Sequence, residues 1–479
     1  MKLYKALIFS LAVSFLFTGC FEDNDDNLIS ASEINDFVYK GMSIFYLYKD
    51  NMPVLANDRF TSDAEYADYL NSFSSPEALF ESLIYDRQNV DRFSWIVDDY
   101  FELERQFQGI TGTNGMEFTL FPEPNTSNGV FGVVRLVLPN SDADIKGIKR
   151  GDIFYAIDGI ELFFDAGTGA NNFDLFDSET YTLNLGSYDD KGTQDDADDT
   201  VEPLSVDISL TKSEYIENPI YETGVFDVNG QNVGYLMFNG FTSGYDDELN
   251  DVFANFKANN VQHLILDLRY NPGGRVSIET YLASMITGQF TGQLFTKLIR
   301  NSNLENTDYD FTDEIENGGT INSLGLNKVY VLTTQRSASA SEGLINGLEP
   351  YIEVVQIGTT TTGKTQASIT LYDSPDFTRE GVNPNHTYAM QPLIADGVNK
   401  DGTKVPSTGL IPDLEFRESG LNYGVIGDEN EPFLAFALAE IENATTKLMT
   451  IKEASKFNLK ALKDSNDFMP NKGGLIADR

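Results

Sequence analysis

Val329-Tyr330-Val331-Leu332-Thr333-Thr334-Gln335-Arg336-Ser337-Ala338-Ser339-Ala340-Ser341-Glu342 is the stretch on which the reading of this chain turns. Its short apolar opening, rich in β-branched residues, predicts a buried strand. Leu344 to Glu349 reads as a short helix, and Val354-Val355-Gln356-Ile357 as another strand. Gly363-Lys364-Thr365-Gln366 closes the unit. A strand, a serine at a helix start, a second strand and a lysine together make a candidate nucleophile and its base.

Ser339 and Glu342 have the S-x-x-E spacing of a capping box, which puts Ser339 at the helix N-cap. A hydroxyl there lies beside unpaired backbone N–H groups and the positive end of the helix dipole. The same place would stabilise an oxyanion on an attacked carbonyl, with the Ala340 N–H as one donor. S-x-x-E is also an ordinary helix start, so these residues alone leave both readings open.

Composition narrows the alternatives. The 479 residues include one cysteine, Cys20, and two histidines, His263 and His386. His263 opens the apolar run Leu264-Ile265-Leu266, and His386 sits in the loop-like Asn383-Pro384-Asn385-His386. A Ser-His-Asp triad would need one of them, but His263 reads as a strand-start residue and His386 has no serine in a strained turn nearby. A zinc site is poorly supplied by this set. A Ser-Lys dyad needs neither histidine nor cysteine, but its lysine, with an ordinary pKa of about 10.4, must be desolvated to act as a base.

S-A-S-A-S-E followed by G-K resembles the C-terminal-processing (tail-specific) serine peptidases. So does Asp267-Leu268-Arg269-Tyr270-Asn271-Pro272-Gly273-Gly274, which has that family's D-L-R-x-N-x-G-G form. The resemblance implies Ser339 as nucleophile and Lys364 as base. It also implies an oxyanion hole formed by the N–H of Ala340 and one from Gly273-Gly274. The family usually has a lysine-orienting glutamine four residues after the lysine. Here that position is Ser368, and the glutamine is Gln366. On an extended strand both would share the lysine's face, so the orienting role is open between them.

Working outward, residues 1–19 read as a lipoprotein signal peptide. Lys2 and Lys5 form its basic start and Ala6 to Phe17 its apolar run, which is too short for an ordinary membrane span. Leu16-Phe17-Thr18-Gly19-Cys20 resembles a lipoprotein box, with Cys20 as the lipidated residue and an acidic tether over 20–29. The expected location is the bacterial cell envelope, anchored by lipid, at the outer membrane on its periplasmic or outer face. With 33 basic and 74 acidic residues, the net charge of −41 argues against nucleic acid as a partner. A single cysteine excludes disulfides within the chain.

The predicted fold class is multidomain, α/β with α+β. Residues 30–110 read as a helical N-terminal domain, with helix starts at Ser30-x-x-Glu33 and Ser75-Pro76-Glu77. Asp91-Arg92-Phe93-Ser94 is similar to a stretch that precedes the PDZ domain in the family, and it reads as packing. Residues 111–214 resemble a β-rich PDZ domain, with an acidic insertion at 189–200 that reads as a solvated loop. Gly115-Met116-Glu117-Phe118 matches the turn that binds a peptide's terminal carboxylate, with Glu117 expected to face solvent and Met116 and Phe118 an apolar pocket. Residues 215–442 read as an α/β peptidase domain with a central sheet flanked by helices. Residues 443–479 read as an appendage without an assigned role.

These readings imply a serine endopeptidase that cuts polypeptides and recognises their C-termini through the PDZ domain. No metal or organic cofactor is implied. The main alternative is a non-catalytic peptide-binding or scaffolding lipoprotein that keeps the fold. A second is an amidase or esterase using the same dyad.

Overall fold

The computed structural model describes residues 31–193, 198–454, 459–468 and 475–477. The signal peptide, Cys20, the acidic tether and the capping residue Ser30 lie outside them. Among the described residues, no helix is long and apolar enough to cross a membrane.

The N-terminal region is helical as expected, over Ala31–Phe45, Asp63–Asn71, Pro76–Ser82 and Tyr100–Phe107. The first helix buries Ile34, Phe37, Val38 and Met42 on one face, as its 3.6-residue spacing requires. Ser75 caps the third by accepting the Ala78 N–H at 3.2 Å, with Pro76 in its first turn. Trp95–Val97 then leaves this layer as a short strand paired with Ala389–Gln391 of the main body.

Residues 110–216 form a sheet-rich body. Its strands run in the spatial order Lys463–Asp464, Met116–Pro122, Val130–Val137, Ile153–Ile157, Thr180–Asp189 and Thr200–Thr211, with Ile160–Glu161 also paired to Ile153–Ile157. Its first member comes from the C-terminal appendage. One helical turn, Asp142–Ile145, is capped by Ser141. The acidic insertion joins two long hairpin strands, and residues 190–193 at its start are exposed.

The α/β body has a six-stranded sheet ordered Ile220–Val228, Gln231–Phe238, Val261–Asp267, Lys328–Thr333, Glu353–Gly358 and Leu414–Glu415. Only the first pair is antiparallel. The helices Asp246–Ala258, Val276–Thr287 and Ala340–Leu348 fall between successive parallel strands. Leu264, Leu266, Val329 and Val331 pack into one core on one side of the sheet, while Ile265, Tyr330 and Leu332 pack into another. That two-sided burial is why these strands read as continuous apolar runs.

A second six-stranded sheet is ordered Gly274–Arg275, Leu475–Ile476, Gln366–Ser368, Leu393–Asn399, Leu294–Arg300 and Thr307–Asp310. It too includes residues from the C-terminal appendage.

Candidate active site

Three parallel strands each deliver one component at the same interval past their carboxyl ends. Val261–Asp267 leads to Gly273, Lys328–Thr333 to Ser339, and Glu353–Gly358 to Lys364, each six residues beyond the strand's last residue. The crevice outside such strand ends is where loops of an open α/β sheet converge.

Ser339 starts the helix Ala340–Leu348 with φ at 63°, a conformation that costs a non-glycine residue about 1–3 kcal/mol. Its surroundings enforce it. A Cβ on Gly273, which has φ of 109°, would stand 2.6 Å from the Ser339 Cβ, so only glycine allows this approach. The hydroxyls of the neighbouring serines are engaged: Ser337 donates to Leu268 O at 2.7 Å and Ser341 to Asn271 O at 3.0 Å. Both bonds fasten the serine turn to the Gly-Gly loop. The Ser339 Oγ is buried and has no hydrogen-bond partner among the described residues. Of the three serines, it is the one without a structural bond of its own.

Glu342 makes its half of the expected capping box and does more. Its Oε2 accepts the Ser339 N–H at 2.9 Å and also the Lys364 N–H at 2.9 Å. Its Oε1 accepts the Gly363 N–H at 2.7 Å and the Thr361 hydroxyl. Burial pushes this carboxyl up, against the pull of those four donors. Gly363 is pressed so closely on Ser407 that a Cβ would come within 2.3 Å of its carbonyl oxygen. Leu410, in the Gly409-Leu410-Ile411-Pro412-Asp413 run, donates its N–H to Thr361 Oγ1 at 2.7 Å and steadies the lysine loop from behind.

Lys364 is buried, and desolvation brings its amine down to about 8, although Asp91 and Glu342 favour the charged form. Its Nζ lies 4.9 Å from the centre of the Phe93 ring. Arg92 donates to Gly363 O at 3.2 Å and Ser407 O at 3.3 Å. Asp91, fully buried, accepts from the Tyr46 hydroxyl at 2.7 Å and the Ser94 N–H at 2.8 Å. The 91–94 stretch therefore packs, as expected, and also forms one wall of the lysine's environment. The sequence contains no local signal for that second role.

Gln366 and Ser368 do not keep simple strand alternation with Lys364. The strand begins only at Gln366, and its register shifts between Ala367 and Ser368. The Gln366 amide donates to Asp396 Oδ1 at 3.2 Å, and Ser368 is buried. At the Gly-Gly turn, the Gly273 N–H donates to Asn271 Oδ1 at 2.8 Å. Ala340 is fully buried at the helix start.

A buried ionic cluster holds the Gly-Gly loop. Arg269 pairs with Asp267 at 2.6 Å, Glu431 at 2.7 Å and Glu418 at 2.9 Å. Arg150, from the sheet-rich body, reaches Glu418 at 2.6 Å and the Tyr270 hydroxyl at 2.7 Å. Burial raises the Glu418 carboxyl, but Arg269 and Arg150 overcome this and hold it at about 2.

The expected carboxylate turn differs from its reading. Met116 and Phe118 are buried in the sheet's core, but Glu117 does not face solvent: it pairs with the fully buried Arg135 at 2.5 Å. Met116, Phe118 and Leu120 share one core, so alternation does turn Glu117 to the other face, but that face holds Arg135, the residue skipped by the register shift on the neighbouring strand. The Gly115 N–H donates to Thr113 Oγ1 at 3.0 Å, and the Met116 N–H to Asn114 Oδ1 at 3.1 Å. Both backbone donors thus serve the turn itself. Outside the site, His263 bonds to Gln231 and His386 to Asp373.

Residues 232–416 match peptidase family S41, and residues 33–95 match the peptidase S41 N-terminal domain. A carboxyl-terminal-processing protease of Picosynechococcus sp. is 26% identical over 337 residues, spanning 70% of this chain and 71% of its own length. Another from Synechocystis sp. is 23% identical over 321 residues, spanning 62% and 67%. A crystal structure from Bacteroides fragilis, described as that of an S41 protease, superimposes with a TM-score of 0.66 at 24% identity, covering 85% of this chain and 97% of that one. The overall arrangement is that fold.

Proposed function

The chain carries the peptidase region of family S41 behind that family's N-terminal domain, and from that premise we propose a serine endopeptidase with Ser339 as nucleophile and Lys364 as general base. The observation that carries this reading is the double grip of Glu342. One carboxylate oxygen takes the N–H of both residues, so an unpartnered buried hydroxyl and a lysine depressed to about 8 are held by a single group. A lysine tuned this far is a competent base near neutral pH.

In this reading the Ser339 Oγ attacks the carbonyl carbon of the scissile bond while the neutral Lys364 amine takes the hydroxyl proton. The oxyanion is met by the Ala340 N–H at the helix start and by a donor of the Gly273–Gly274 turn. As the tetrahedral intermediate collapses, the C–N bond breaks and the lysine ammonium returns a proton to the leaving amine. Water then attacks the acyl ester with Lys364 again as base, the C–O bond breaks, and Ser339 recovers its proton. Gln366 and Ser368 are the candidates for orienting the amine.

We assign the sheet-rich body as a PDZ-like peptide holder, because its Met116–Pro122 edge already pairs with an extended segment. Lipid attachment at Cys20, removal of residues 1–19 and an envelope location complete the proposal; they rest on the sequence alone.

The test is digestion of casein and of tailed peptides by the soluble chain, wild type beside Ser339→Ala. Hydrolysis lost only in the variant supports the reading, whereas an inert wild type favours a non-catalytic peptide binder. Comparing free with amidated peptide C-termini tests whether a terminal carboxylate is read.

A further inference from the structure

The appendage after Asn443 threads back into the molecule. Lys463–Asp464 adds antiparallel to the edge strand Met116–Pro122, with Lys463 opposite Leu120 and Asp464 opposite Thr119. The Leu462 N–H donates to Leu120 O at 2.8 Å, and Ser465 Oγ accepts the Phe118 N–H at 3.2 Å. The strand pairing and the backbone bond from Leu462 fix register without selecting a sequence, and the Ser465 hydroxyl adds a side-chain acceptor to it.

Two side chains do select. The Asp464 carboxylate lies between guanidinium groups, with Arg135 Nη2 at 2.7 Å on one oxygen and Arg336 Nε at 2.7 Å on the other. Burial opposes its charge, but the two arginines hold the carboxyl below its ordinary range. Four residues on, the Phe468 ring lies 5.6 Å from Phe176, 5.8 Å from Phe173 and 6.1 Å from Phe118, centre to centre. One end of the groove is cationic and the other aromatic.

The groove adjoins the candidate active site. Arg336 lies three residues before Ser339, and a cavity of about 520 Å³ is bordered by Lys364, Ala338 and Pro272 together with Asp464, Asn466 and Asp467. Further along, the backbone of Leu475–Ile476 lies parallel between Gly274–Arg275 and Ala367–Ser368, and the Ala477 N–H donates to Ser368 O at 3.0 Å. The same appendage therefore passes along the sheet edge and enters the cleft between the Gly-Gly turn and the strand after the lysine.

We infer that this edge is a peptide-binding site for a carboxylate followed four residues later by an aromatic ring, and that Asp464 to Phe468 of the chain itself is its resident occupant. Polypeptides reaching Ser339 must displace that segment; this consequence rests on the peptidase reading, while the binding site does not. Tethering gives the resident segment an effective concentration on the order of millimolar, so a free peptide competes poorly with it.

The test uses the full chain in a Ser339→Ala background and a fluorescein-labelled peptide of sequence Leu-Lys-Asp-Ser-Asn-Asp-Phe. Replacing Asp464→Asn with Phe468→Ala in the protein empties the groove, and the probe should then bind at least tenfold more tightly than to the intact chain. Probes with Asn for the first Asp, or Ala for Phe, should lose at least tenfold. Adding Arg336→Gln to the emptied protein should remove the preference for the acidic probe, with thermal melts confirming that each variant is folded. Equal binding to emptied and intact chains, or indifference to the probe's Asp and Phe, would overturn the inference. With Ser339 restored, the emptied chain should show a lower KM for casein at unchanged kcat. Probe binding as described without casein cleavage by any variant would retain the site and reject the peptidase reading.

Discussion

Glu342 and Lys364 meet through the lysine's backbone, its N–H lying 2.9 Å from Oε2, and that oxygen also takes the Ser339 N–H at 2.9 Å. A group that looks like a helix cap is thus the clasp between two loops arriving from adjacent strands. Its charge also reaches the lysine amine, where it favours the protonated form.

Glu342→Gln tests the clasp. An amide presents only one oxygen to four donors and turns an NH2 toward N–H groups, so stability should fall by about 2–4 kcal/mol. Losing the negative charge should also lower the lysine pKa, shifting the alkaline-rising limb of kcat/KM to lower pH. Urea titration and a pH–rate profile measure the two effects separately, and an unmoved limb would deny the electrostatic coupling.

Ser339→Ala should abolish hydrolysis with little change in stability. Its Oγ has no hydrogen-bond partner among the described residues, although an N-cap deletion usually costs about 1 kcal/mol. Ser339→Gly, which accepts a positive φ, should melt higher than Ser339→Ala. Ser337→Ala and Ser341→Ala should stay active while each loses about 1 kcal/mol, since their hydroxyls anchor the Gly-Gly loop. A dead Ser341→Ala beside an active Ser339→Ala would move the nucleophile.

Activity should rise with pH through about 8, where Lys364 loses its proton, and be indifferent to metal chelators. Lys364→Arg should be inactive because guanidinium retains its proton. The folded lysine pKa lies below the unfolded value of about 10.4, so the unfolded chain binds more protons between the two and stability rises with pH across that window. Below about 8 the burial cost is complete. Lys364→Met should therefore stabilise the inactive protein at pH 7, by about 1–3 kcal/mol. Thermal melts at pH 7 and pH 10 check the sign, for the gain should shrink at the higher pH.

The Arg269 cluster should fail in acid. Glu418 is held at about 2, below its ordinary 4.5, so its contribution is complete above 4.5 and is lost as pH falls toward 2. Glu418→Gln should flatten the stability–pH curve across that interval. Arg269→Ala, which takes the nearest cation from buried Asp267 and leaves Glu431 only Arg150 at 3.6 Å, should cost about 3–5 kcal/mol.

What the sequence made legible was local. The apolar runs at 264–268 and 329–332 announce buried strands because both faces of the sheet are covered, and the serine and Gly-Gly blocks stand directly after those strands. What it hid were pairings between distant segments. Phe93 packs against Lys364, Glu342 binds a second loop, and Asp464 meets Arg336, yet no spacing rule encodes contacts between residues so far apart in the chain. Glu117 was misread for another reason: strand alternation does place it opposite Met116 and Phe118, but that face is covered by a fully buried arginine and not by solvent. The appendage at 443–479 has no periodicity that reveals its path, since an added edge strand is held chiefly by backbone bonds.

The second sheet is continuous only because Leu475–Ile476 lies between Gly274–Arg275 and Gln366–Ser368. Without that segment, two rows of backbone donors and acceptors would face one another across a gap one strand wide. Such a slot measures extension and leaves side chains largely unread, so nearly any unfolded stretch fits while a folded helix does not. In the peptidase reading, discrimination among proteins would then fall to whatever is recognised before the chain arrives, and to how readily a given protein comes undone.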